Sequence, residues 1–273
     1  MKIDTNIFVK IGEEVGKNRA AALIIITKVE GSSPGIEGSM MAVFQDGSTL
    51  GTVGGGSLEY CAIEKAKDCL VKGMGQPFQY DLSSEGSLGM ICGGKAEGYI
   101  KVINSGPRLI IIGGGHIAVE LHKLSKFIGM ETVIFENREE YGSKERFPEA
   151  EIIVGNYEEA LRNYNISTNC FVIIVTHGHS YDEIALKTVI NSDAAYIGMI
   201  GSRDKTEQVM SKLKAAGISE DKLNKVYAPI GLNLGGRSPK EIAFSIMAEI
   251  VLIKNGGTLQ HMKNGERWKE STE

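Results

Sequence analysis

Leu109-Ile110-Ile111-Ile112-Gly113-Gly114-Gly115-His116-Ile117-Ala118 decides how this chain folds. A short apolar run bounded by turn residues reads as a buried strand, and Ile117–Ile128 continues at helical spacing. Between them, Gly113-x-Gly115-x-x-Ala118 joins the end of a strand to the start of a helix, the context that gives the dinucleotide-binding fingerprint its meaning. Glycine allows a tight turn and close approach of backbone to ligand, while the first helical turn offers free N–H groups and partial positive charge to a phosphate. Glu136 ends the next apolar run, 21 residues past Gly115, where an acid accepts hydrogen bonds from ribose hydroxyls. The loop alone does not choose between NAD, a mononucleotide and a pterin nucleotide, since all present phosphates. A glycine turn required only for packing is the alternative reading.

Downstream of the loop, apolar runs alternate with helical stretches: Thr132–Phe135, Glu151–Val154, Tyr157–Tyr164, Phe171–Val175, Asp182–Ile190, Ala195–Ile200 and Ser202–Ala216. Such alternation predicts a Rossmann-like parallel sheet with helices on both faces. Ser238-Pro239-Lys240-Glu241 then opens the best-marked helix, with a Ser cap, Pro in the first turn and a reciprocating Glu, running to about Lys254. In such sheets the loops at the carboxyl ends of strands meet at the ligand crevice. His177, in Thr176-His177-Gly178-His179, therefore borders the crevice or lies on plain surface; a metal at His177 and His179 lacks an identifiable third ligand. Arg203, after Gly201-Ser202, pairs with an anionic ligand or is an ordinary exposed helix end, and His116 faces either the bound group or solvent.

Upstream, residues 1–104 read as a smaller α+β domain and 105–273 as the Rossmann-like domain, with Asn104-Ser105-Gly106-Pro107 as the linker. The first ~17 residues have helical periodicity and feed the apolar run Ala21–Val29. Ser39–Phe44 and Thr49–Val53 flank an Asp46-Gly47 turn. Gly54-Gly55-Gly56 follows that strand and precedes a helix from Ser57 to about Gly73, so the triple glycine is a second anion cradle or a purely conformational turn. Strands near Phe78–Leu82 and at Glu97–Ile103 complete the domain. Cys92, between Gly89 and Gly93-Gly94, sits where backbone is accessible, as a reactive or metal-ligating thiolate requires; Cys61, Cys69 and Cys170 read as core thiols.

The length of 273 residues suits two domains, and 42% hydrophobic and 23% charged residues with net charge −4 describe a globular chain without the basic patch of a nucleic-acid binder. With no apolar run of ~18 residues and no charged-then-apolar leader, a cytoplasmic protein that does not span a membrane is expected.

Taken together, Gly31-Ser32-Ser33-Pro34, Gly51-Thr52-Val53-Gly54-Gly55-Gly56, Gly89-Met90-Ile91-Cys92-Gly93-Gly94, Gly113-Gly114-Gly115-His116, Tyr196–Arg203 and Pro229–Gly235 resemble the XdhC/CoxI family over nearly the whole chain. These are accessory factors for xanthine dehydrogenase and related molybdenum hydroxylases. The resemblance implies a chaperone rather than a turnover enzyme. Such a factor binds the molybdenum cofactor (molybdopterin), protects it during sulfuration and inserts it into the apoenzyme, with a cysteine desulfurase as a further partner. It also implies a homodimer whose Gly-rich N-terminal loops help close the cleft. Cys92 is carried over as the molybdenum or sulfur contact, while Gly54, Gly55, Gly56, Gly113, Gly115, His116, Glu136, His177 and Arg203 are cofactor-binding candidates. Ser57 replaces the Cys of the family pattern and Glu136 the Asp. The first departure removes a second thiolate; the second is chemically mild. An NAD(P)-dependent oxidoreductase is the rival, though no Tyr-x-x-x-Lys pair or other catalytic constellation stands beside the loop. A noncatalytic nucleotide-sensing or interaction module is the third reading.

Overall fold

A computed structural model describes residues 5–82 and 94–264. Contacts divide it into two compact units, Met1–Ser105 and Gly106–Glu273.

In the first unit the elements run α1 (Thr5–Gly16), β1 (Ala21–Glu30), β2 (Met40–Phe44), β3 (Thr49–Gly51), α2 (Gly56–Lys72), β4 (Gln76–Asp81) and β5 (Lys95–Ile103). The strands form one antiparallel sheet, ordered β3-β2-β1-β5-β4. β1 is apolar without alternation because both of its faces are covered. Ala22, Ile24 and Ile26 pack with Ala62, Ala66 and Cys69 of α2, and Ala21 and Leu23 pack with Ile7 and Ile11 of α1. At the β2–β3 turn Gly47 has φ +82°, and the Asp46 carboxylate accepts from Ser48 N at 2.9 Å. β3 stops two residues before the expected Val53, because the Val53 amide is bonded to the Glu59 side chain instead of a neighbouring strand.

The second unit runs β6 (Arg108–Ile112), α3 (His116–Phe127), β7 (Glu131–Glu136), β8 (Glu151–Val154), α4 (Tyr157–Arg162), β9 (Cys170–Ile174), α5 (His179–Val189), β10 (Tyr196–Met199), α6 (Arg203–Ala215), α7 (Glu220–Leu223) and α8 (Pro239–Lys254). All five strands are parallel in the order β10-β9-β6-β7-β8, the Rossmann arrangement expected from the alternation. β6 lies at the centre and is wholly buried. Leu109 and Ile111 face Ala118 and Leu121 of α3 and Ala243, Ile246 and Ile250 of α8. Ile110 and Ile112 face a core shared with α4, α5 and α6. The chain runs from β6 outward through β7 to β8 and then crosses back to β9 on the other side of β6, and at this reversal of strand order a crevice opens outside the carboxyl ends of β6 and β9. α5 begins three residues earlier than its apolar period, because its first turn is polar and N-capped by Gly178. α7 escaped the sequence reading because three polar residues and one leucine, a single turn, carry no period. α8 has the full capping box at Ser238 and Glu241. No helix among the described residues is long and apolar enough to cross a membrane.

Two phenylalanines calibrate this core. Phe135 is fully buried beneath the crevice and Phe127 is 87% exposed. Phe135→Ala is expected to lower unfolding free energy by about 3–5 kcal/mol in urea titration, and Phe127→Ala by no more than about 0.5 kcal/mol.

Candidate functional site

The three glycines after β6 do three different things. Gly113 has φ +112°, and a Cβ there would lie 2.4 Å from the Val175 carbonyl oxygen, so only glycine fits. Its N–H donates to the Phe135 carbonyl at 2.8 Å, which folds the loop back onto the end of β7. Gly114 donates to Glu136 Oε2 at 2.6 Å and its carbonyl accepts from Arg146 Nη2 at 2.8 Å, while a Cβ would meet the Tyr141 oxygen at 2.5 Å. Gly115 is different. Its φ is −70°, open to any residue, and nothing lies within 4 Å of a Cβ built on it. It caps α3 with no side-chain hydrogen bond, leaving the amides of the first turn to face the crevice uncapped. His116, next in line, is exposed.

Glu136 is completely buried. Its Oε1 accepts from the Asn137 amide at 2.9 Å, from Arg138 N and Nε at 3.1 Å each, and from Tyr157 OH at 3.2 Å. Its Oε2 accepts from Gly114 N at 2.6 Å and Arg138 Nη2 at 3.1 Å. A carboxylate offers about four lone-pair positions, so these donors fill it, and the role of ribose acceptor expected for Glu136 meets an acid already engaged by the protein. Burial pushes its carboxyl up, but hydrogen bonds from Arg138 and from the Gly114 and Arg138 amides outweigh burial and hold it below the usual carboxylate value. Burial, followed by the neighbouring Glu136 charge, pushes the Tyr157 hydroxyl far above its usual value, so it stays a donor.

On the far side of the crevice, the loop after β9 is tied down by a second buried acid. Asp182 accepts from Thr176 Oγ1 at 2.6 Å and from Thr176 N at 3.2 Å, and pairs with Lys205 of α6. Gly201 leaves the space for this pairing, since a Cβ there would lie 2.9 Å from Lys205 Cδ. His177 is exposed, with its ring 4.8 Å from that of Tyr181. Arg203 is exposed at the start of α6, which Ser202 caps. The His179 side chain lies outside the described set.

Gly54, Gly55 and Gly56 belong to the other unit and have φ of +125°, +75° and +63°. Their loop holds an anion of its own: Glu59 Oε2 accepts from Val53 N at 3.0 Å, from Gly55 N at 3.2 Å and from Thr52 Oγ1. Burial raises the Glu59 carboxyl, but the Thr52 hydroxyl and these amides outweigh it, so the net shift is downward. A Cβ on Gly54 would lie 2.5 Å from Gly35 N, and one on Gly94 would lie 2.4 Å from the Ser32 carbonyl oxygen, so Gly54 and Gly94 both approach the backbone of residues 32–35 closely. Cys92 lies outside the described residues.

The second unit thus gathers Gly113, Gly115, His116, Glu136, His177 and Arg203 at one end of its sheet. Sequence reasoning missed Arg138, Tyr141, Arg146, Tyr157 and Lys205. The available signal was a basic residue two positions past the acid of β7, the spacing that lets Arg138 turn back onto it.

Models of known families match this chain in two places: the XdhC Rossmann domain over residues 109–250 and the XdhC and CoxI family over residues 15–81. The chain belongs to the XdhC/CoxI family. Among curated relatives, the uncharacterized protein YqeB of Escherichia coli K12 is 30% identical over 254 residues, covering 92% of this chain and 46% of that protein. A probable xanthine dehydrogenase subunit of Bacillus subtilis 168 is 27% identical over 154 residues, covering 56% of this chain and 44% of that one. The chain therefore spans about half the length of the curated relatives it matches. A crystal structure of a xanthine dehydrogenase from Bacillus halodurans shares the fold, with a TM-score of 0.51 and 23% identity over 92% of this chain and 96% of that one.

Because its folded carboxyl is held low, Glu136 contributes stability above the ordinary carboxylate value of about 4.3, and loses it as pH falls below that value. Glu136→Gln is expected to unfold more readily than the parent at pH 7, with the gap narrowing as pH drops from about 5 toward 3 in paired urea titrations. A gap independent of pH would refute this assignment of charge.

Proposed function

We propose that this XdhC/CoxI chain binds the molybdenum cofactor as cargo, shelters it while the metal centre is sulfurated and delivers it to a xanthine dehydrogenase-type apoenzyme. The observation that carries the reading is Gly115. The fold asks for glycine at Gly113 and Gly114, but at Gly115 the backbone is unstrained and the space beside it is empty. A glycine that packing does not need, at an uncapped helix start, fits a phosphate ester brought close to the backbone. The first-turn amides of α3 would hold that phosphate, His116 would donate to the adjoining pterin, and His177 and Arg203 would border it from the loops after β9 and β10. Cys92 is assigned the sulfur or molybdenum contact from the family motif.

The relationship to a probable xanthine dehydrogenase subunit supports the choice of a molybdenum hydroxylase as recipient. A cysteine desulfurase as sulfur donor, a homodimeric state and a cytoplasmic setting complete the proposal. An NAD-dependent oxidoreductase would need Glu136 to accept ribose hydroxyls, and six protein donor contacts already converge on that carboxylate.

Parallel titrations of the purified chain with molybdenum cofactor and with NADH test the reading. Cofactor is expected to bind and NADH not. Gly115→Val is expected to weaken cofactor binding at least about tenfold, a loss of roughly 1.4 kcal/mol, with a thermal midpoint within a few degrees of the parent. Tight NADH binding without cofactor binding overturns the proposal. Cofactor binding unchanged in Cys92→Ala removes the thiol contact.

A further inference from the structure

We propose that the β7 side of the crevice is a second anion subsite, built from Arg138 and Arg146 around the Tyr141 ring, that takes a second anionic group of a phosphate ester. The proposal rests on reading the glycine loop as a phosphate site and specifies what else the ligand carries.

Both guanidinium groups are fixed by the loop they would serve. Arg138 binds both oxygens of Glu136 through Nε and Nη2, and Glu136 in turn holds the Gly114 amide. Arg146 donates from Nη2 to the Gly114 carbonyl. Both approach the Tyr141 ring, whose centroid is 3.8 Å from the Arg138 guanidinium carbon and 5.2 Å from that of Arg146. Stacking on an aromatic face fixes the plane of a guanidinium, which is the geometry for two-pronged contact with phosphate.

The charges in this cluster do not cancel. Glu136 answers Arg138, but among the described residues Arg146 makes no ion pair, and its Nε is buried without a hydrogen-bond partner. Glu139, Glu140 and Glu145 of the same segment are exposed and make no ion pair among the described residues. A partly buried cation without a counter-ion is costly, and the Arg138 side chain remains 28% exposed, so an anion arriving from the crevice reaches the pair. In dinucleotide sites an acid after the second strand selects a free ribose diol, whereas an arginine there accommodates a phosphate on that ribose. Here the acid is consumed in holding Arg138, which leaves the arginine character facing the ligand.

Adenosine 5′-monophosphate and adenosine 2′,5′-bisphosphate differ by the one group in question, and calorimetric titration of the full chain with each tests the subsite. The bisphosphate is expected to bind at least about tenfold more tightly, as one charge-assisted contact provides. Arg146→Gln is expected to bring it down to the monophosphate level, and Arg138→Lys to reduce the preference while retaining part of it. Equal affinity of the unmodified chain for the two probes overturns the subsite and leaves the phosphate loop standing. A preference that survives Arg146→Gln overturns the assignment to this pair. Binding of neither probe also overturns the subsite, while the cofactor titration separately decides the reading of the glycine loop.

Discussion

The hydrogen bond from the Gly114 amide to the buried Glu136 carboxylate is the constraint on which the crevice depends. One carboxylate gathers the glycine loop after β6, the turn after β7, the Arg138 side chain and the first residue of α4 through Tyr157. Removing a charge of this kind from water is costly unless every lone pair is met, and here every one is. Three other acids play the same part elsewhere. Glu59 fills the triple-glycine turn, Asp182 holds the loop that carries His177, and Glu249 takes the Gly231 amide together with the Tyr196 hydroxyl. Glycine supplies turns that no other residue makes, at a cost in order, and beside the left-handed glycines at Gly113, Gly55 and Gly231 a nearby carboxylate restores that order.

This division of labour explains which parts were legible in the sequence. The parallel sheet could be read because buried parallel strands are apolar throughout and the helices between them keep their period. Gly113 announced itself by spacing, since the strand-to-helix turn needs its left-handed backbone. The acids that lock the loops had no such signature. Glu136 looked like a ligand group because an acid at the end of the second strand often is one. The basic residue two positions on was a local hint that Arg138 would curl back, but nothing in the local sequence revealed that Tyr157, 21 residues on, would reach the same carboxylate. Likewise Asp182 and Lys205 stand 23 residues apart and meet only because α5 and α6 begin at the same end of the sheet. Contacts of this range follow from topology rather than from pattern.

The same contacts separate two proteins that share a fingerprint. A glycine loop at a helix start describes shape, and shape alone admits a hydride-transferring enzyme as readily as a carrier. The chemistry around the loop differs: the acceptor for a ribose diol is enclosed within the protein, and the groups still turned outward are guanidinium, imidazole and amide N–H. These are the groups that the proposed phosphate-bearing cargo would meet.

The last helix has a consequence for how the chain is made. Leu109 and Ile111, in the first strand of the second unit, rest partly against Ala243, Ile246 and Ile250 of α8, roughly 130 residues later in the chain. During synthesis from the N-terminus, one face of the central strand therefore waits, apolar and only half covered by α3, until nearly the entire unit has left the ribosome. Contacts this distant in sequence form slowly and expose sticky surface in the interval. For that interval the chain is itself in need of guarding.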